Sequence, residues 1–83
     1  MPVFRIHLTN SEFESFDESE YPSLDAARKM AIATATKIAS ESVLDVETSI
    51  AIQVEIHEQS ALVARHVVTL SVADLSGAEA SIN

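Results

Sequence analysis

The chain has 83 residues, of which 13 are acidic and five basic, for a formal net charge of −8 at pH 7. That surplus repels phosphate backbones and anionic lipid, so neither direct nucleic-acid binding nor attachment to a membrane surface is expected. Cysteine is absent, which excludes disulfides, thiolate zinc sites and thiol chemistry; no stretch approaches the roughly 18 apolar residues of a membrane span.

The chain opens Met1-Pro2-Val3-Phe4-Arg5-Ile6-His7. It lacks the basic region, apolar core and cleavage site of a signal peptide, so a cytoplasmic setting is expected. From Pro2 to Thr9, Phe4, Ile6 and Leu8 alternate with Val3, Arg5, His7 and Thr9, the pattern of a half-buried strand. Asn10-Ser11 is a turn signal. Glu12 to Glu20 is dominated by acids, yet with Tyr21 it carries three rings, Phe13, Phe16 and Tyr21, which argues against disorder. It reads as a loop, with room for a short extra strand near Phe13, folded back so that its rings cover one end of the core.

A helix follows from Ser23 to about Val43. Pro22 disfavours helical geometry before it, Ser23 is placed to cap the first turn, and Asp25 suits the positive end of the dipole. At 100° per residue Leu24, Ala27, Ala31, Ala35 and Ile38 form one apolar band, with Ile32 and Ala39 at its edge. Alanines permit close approach to a sheet but bury little area, so the strands must supply most of the core. Arg28 falls inside the band. A buried unpaired guanidinium is costly, so Arg28 is expected to pair with Asp17 or Glu18 and clamp the acidic segment over the core, with ligand binding as the alternative.

After a connector at Leu44 to Thr48, Ile50, Ile52, Val54 and Ile56 alternate with Ala51, Gln53, Glu55 and His57 in a second strand. A last strand runs from about Leu62 or Arg65 to Val72. Pairing even residues with even sets Ile50 opposite Val72 and Ile52 opposite Leu70, and a shift of two keeps the same faces together. The hairpin closes through Glu58-Gln59-Ser60. Asp74 to Asn83 are expected to fray, leaving a single domain over residues 1–74 and a tail over 75–83.

The expected fold is α+β: a three-stranded, mainly antiparallel sheet in the order β-α-β-β, one helix across one face, and the last strand in the middle. A right-handed crossover through the helix completes it.

The opening Met-Pro-Val-Phe-Arg-Ile-His-Leu, Asp17-Glu18, and Tyr21-Pro22-Ser23-Leu24-Asp25-Ala26-Ala27-Arg28, with the two closing strands, resemble a family of small bacterial proteins of unknown function. Its members open M-P-x-[YF]-x-[FL]-H-L and carry D-L-x-x-A-R-x-x-A on the helix. Ser19 stands where that pattern continues Glu-Gly, and Gln59-Ser60 replaces its turn glycine. The resemblance implies the fold and a bacterial cytoplasmic setting, and it carries no catalytic residue.

The chemistry visible in the residues is sparse. His7, His57 and His66 match no metal-ligand spacing, and the first two face away from the third. The acids of 12–20 are not held as a pair in a cleft. Ser40 and Ser42 lack a nucleophile elbow, and the only glycine, Gly77, makes no phosphate loop. No enzyme activity, cofactor or metal is expected. The open sheet face is informative instead: Val3, Val63 and Val67 mix there with Arg5, His7, Gln53, Glu55 and Thr69. Such a face, flanked by two free strand edges, suits a protein partner, most simply a second copy across a two-fold. The leading expectation is therefore a non-enzymatic, self-associating interaction module. Its rival is an acidic inhibitor, antitoxin or nucleic-acid mimic that fills a basic groove, favoured if the acids gather on one rigid face.

Overall fold

The computed structural model describes residues 1–42 and 48–73. The expected C-terminal tail, the end of the helix at Val43 and most of the connector lie outside the described residues. The elements run β1 (Val3–Thr9), β2 (Glu14–Glu20), α1 (Leu24–Ser42), β3 (Thr48–Glu58) and β4 (Ala61–Val72). The architecture is α+β with one helix on an antiparallel sheet, but the sheet has four strands rather than three, in the order β2-β1-β3-β4.

The additional strand is the acidic segment. Asn10 makes the turn: its Oδ1 accepts from the amides of Glu12 at 2.8 Å and Phe13 at 3.0 Å. The returning chain then pairs with β1 from Val3↔Glu20 to Thr9↔Glu14. Nothing in the alternation of residues 14–20 marks a strand, because β2 is an edge that buries no apolar row; its residues are nearly all exposed. Charge is what natural edge strands use to discourage further pairing.

This strand also changes the order of the sheet. Each element reverses the chain, so an added β2 makes β3 antiparallel to β1, and the two pair directly from Arg5↔His57 to Thr9↔Gln53. With the segment as a loop, β3 would run parallel to β1, and β4 would be needed between them to keep every pair antiparallel. The middle position therefore belongs to β3 and not to the final strand. The crossover through α1 joins β2 to β3, parallel strands separated by β1.

Parity in the closing hairpin is as the pattern requires, displaced by two from the first of the two registers: Ile50↔Leu70, Ile52↔Val68, Val54↔His66, Ile56↔Ala64. Beyond that point His57 pairs with Leu62, leaving Val63 as the extra residue of a β-bulge. Gln59 and Ser60 close the hairpin with φ of 52° and 72°, the two left-handed residues of a type I′ turn, where Asn-Gly is the usual choice.

The helix starts where its cap dictates. Ser23 Oγ accepts from the Ala26 amide at 3.1 Å, and the Ser23 carbonyl accepts from the Ala27 amide at 3.1 Å. Ala27, Ala31, Ala35 and Ala39 are buried against a core of Phe4, Ile6, Leu8, Ile52, Val54 and Ile56, with Leu24 and Ile38 partly buried around it. α1 packs over β3 and β4 and more lightly over β1. Its closeness places β3 at the centre of the buried layer, where each fully covered Ile or Val contributes roughly 1.5–3 kcal/mol. His66 sits on this inner face opposite Val54, and its Nε2 is buried without a hydrogen-bond partner among the described residues.

Candidate interaction surface

The outer face of the sheet carries no covering element among the described residues. Its residues follow from the pairing: Val3, Arg5 and His7 on β1, Glu14, Phe16, Glu18 and Glu20 on β2, Gln53, Glu55 and His57 on β3, and Arg65, Val67 and Leu62 on β4. The bulge at Val63 is what turns Leu62 onto this face, opposite His57.

A polar network crosses all four strands. The His7 ring stacks on Phe16 at 4.2 Å between centroids with planes 5° apart, and the Arg5 guanidinium lies 4.3 Å from the same ring centre. His7 Nε2 meets Glu14 Oε2 at 2.8 Å, and its Nδ1 lies 3.4 Å from Glu55 Oε1. Glu55 also lies 3.8 Å from His57 Nε2 and 3.4 Å from Arg65 Nε. Both His7 nitrogens thus face carboxylates. The network lines an open concavity on the outer face, bounded by Val3, Arg5, His7, Phe16, Glu55 and His57. Among the described residues, no group of three or more His, Cys, Asp or Glu is disposed to hold a metal.

The expected site residues divide. Val3, Arg5, His7, Glu18 and Val67 lie on the outer face. Asp17 does not, being opposite Ile6 on the helix side, where it accepts from Ser19 Oγ at 3.4 Å. Arg28 does not clamp the acidic segment. It is 42% exposed and its ion pair is with Asp25, one turn back on the same helix. A helical neighbour at i−3 reaches the guanidinium without bending the chain, and the segment that Arg28 was to hold is already fixed by its own ladder to β1. Asp25 also meets Lys29 Nζ at 3.1 Å; the Lys29 hydrogen bond and charge, then Arg28, hold its carboxyl below the usual carboxylate range.

Of the three rings in the acidic stretch, Phe13 and Tyr21 pack on the core, Tyr21 with its centroid 6.3 Å from that of Phe4. Phe16 does not: it is 51% exposed on the outer face. Glu14 and Arg65 were not singled out by sequence reasoning, and Phe16 was expected on the core rather than beside His7. The signal that finds them is register, since His7↔Phe16 and Glu55↔Arg65 are directly opposed pairs.

Exposed apolar side chains share this face and the adjoining edge: Val3 at 44%, Leu62 at 49% and Val67 at 62%. No helix among the described residues is long and apolar enough to cross a membrane. Neither a curated protein nor a solved structure matches the chain. A family model does match, over residues 3–72, which span every strand and the helix, and the chain therefore belongs to the family described as a domain of unknown function, DUF6894.

Proposed function

We propose that this protein is a non-enzymatic interaction module of the bacterial cytoplasm that self-associates through its sheet. The observation that carries the reading is a four-stranded sheet whose outer face has no covering element among the described residues, with Leu62 and Val67 exposed there on the edge strand β4. Apolar side chains left exposed on the open side of so small a domain favour a partner, and a second copy brings a surface of matching character. The network around His7 supports the same role, because it holds Phe16 and the flanking charges in one arrangement before any partner arrives, and ordering them on binding then costs less. The test is light scattering at micromolar concentration on the intact chain and on Val67→Glu: a dimer is expected, weakened by the substitution without loss of the monomer fold. A strict monomer across that range removes the reading.

A second reading, an acidic inhibitor, antitoxin or nucleic-acid mimic, has one observation in its favour. Glu14, Glu18 and Glu20 lie along one face of a rigid strand rather than on a loop. It ranks second because the row is not purely acidic: Glu14 contacts His7, Phe16 interrupts it, and Arg5 stands directly opposite Glu18. Pull-down with wild type and with Glu14, Glu18 and Glu20 changed together to Gln separates the two: a basic protein retained by wild type alone selects this reading.

A further inference from the structure

The two edges of the sheet are not alike. β2 forms one edge and carries Glu14, Asp17, Glu18 and Glu20 in seven residues. β4 forms the other, with twelve residues, no acid and a single formal charge at Arg65. It also lacks proline, and its bulge lies near the hairpin end, at Val63. Charge, proline and bulging are the devices that stop an edge from adding another strand. β2 has the first in abundance, whereas β4 from Ala64 to Val72 has almost none. Among the described residues nothing pairs with the outer side of β4.

Resting on the reading of self-association, we propose that the partner surface is the β4 edge, paired antiparallel with β4 of a second copy about a two-fold at Val67. Three observations select this arrangement. Two chains of charge −8 repel, and edge pairing through β4 puts their acidic β2 strands at opposite ends of an eight-stranded sheet, the greatest separation the topology allows. The length is also adequate: with the axis at Val67 the ladder clear of the bulge runs over residues 64–70 of both copies, about 24 Å of paired backbone. Register decides the axis. With the two-fold at Val67, this 62%-exposed side chain meets its own copy, Arg65 faces Thr69, and Ala64 faces Leu70. An axis one residue earlier opposes His66 to itself and sets Val67 against Arg65. One residue later, Val67 meets Thr69. Only the axis at Val67 buries its exposed methyls against methyls and leaves no basic group opposed to itself.

The chain has no cysteine, so single cysteines report the register without background. Residues opposed across the axis have Cα atoms within disulfide reach, about 4.5–5.5 Å, whereas Arg65 or Thr69 is four residues from its own copy, about 14 Å away. Val67→Cys, Arg65→Cys and Thr69→Cys are oxidised with oxidised glutathione at low micromolar concentration, and each variant's mass is followed in parallel by light scattering. The proposal expects Val67→Cys to cross-link at least tenfold faster than either other variant alone, and Arg65→Cys mixed with Thr69→Cys to form the heterodimer preferentially. Dimers that cross-link equally slowly at all three positions overturn the β4 edge and leave self-association standing; dimers that cross-link fastest at Arg65→Cys or Thr69→Cys overturn the Val67 axis. Monomers throughout overturn both.

Discussion

Arg28 and Asp25 show how a local partner outcompetes a distant one. The guanidinium reaches a carboxylate within its own helix, and an exposed i,i+3 pair of this kind contributes little to stability. Arg28→Met keeps the aliphatic stem and is expected to leave the urea midpoint and the hydrogen exchange of residues 12–22 unchanged; loosened exchange there would restore the clamp. Asp25 supplies the pH dependence. Lys29 first, and Arg28 with it, lower its carboxyl below the usual value. The stability it provides is therefore complete above the ordinary carboxylate pKa and is lost as pH falls through the lowered one. Chemical denaturation of wild type and Asp25→Asn at neutral pH and near roughly pH 2 checks the sign, because the difference between them should disappear in acid. At the hairpin, Gln59 and Ser60 occupy left-handed backbone that favours glycine. Ser60→Gly is expected to raise stability by about 0.5–1 kcal/mol, measured as a higher urea midpoint; a lower midpoint would show that the serine side chain stabilises the turn.

At the scale of elements, α1 is held by packing rather than by its own propensity. Thr34, Thr36, Ser40 and Ser42 return their hydroxyls to carbonyls three or four residues earlier, a habit that weakens or bends helices. What holds α1 in place is the row of alanines seated on Ile52, Val54 and Ile56. Ala35→Leu must lift the helix from the sheet and is expected to cost about 1–3 kcal/mol, read from thermal unfolding; a neutral result would mean that the layer is loosely packed. These features were legible in the residues because each follows a local rule: Ser23 as cap, a 3.6-residue alanine band, and even-numbered isoleucines sharing a face. β2 was not, because a charged edge strand has no apolar alternation to read, and its ladder to β1 outweighs the low strand propensity of its acids. The strand order depended on that one segment, since the number of chain reversals decides whether β3 runs with β1 or against it. The network around His7 was hidden for the same reason, as Phe16 and Glu14 meet His7 only when β2 is paired.

For the whole molecule, the distribution of charge is the organising fact. Acids gather on the β2 edge, basic and polar groups are spent in a network across the open face, and β4 is left apolar and long. The proposed association uses the edge that carries no acid. Placing a charge there is accordingly the sharpest perturbation. Val67→Glu changes an exposed side chain and leaves the buried core of Phe4, Ile52, Val54 and Ile56 intact, so the monomer should unfold at a nearly unchanged urea concentration. Across the proposed axis the same substitution opposes two carboxylates directly, and like charges so placed oppose strand pairing.

Self-association through the sheet is tested most directly by the solution mass of the intact chain by light scattering over roughly 1–100 micromolar, a range that brackets micromolar affinity. The account predicts twice the chain mass for wild type at the upper concentrations and the mass of one chain for folded Val67→Glu. A wild-type mass of one chain throughout, or a Val67→Glu dimer as tight as wild type, would contradict it.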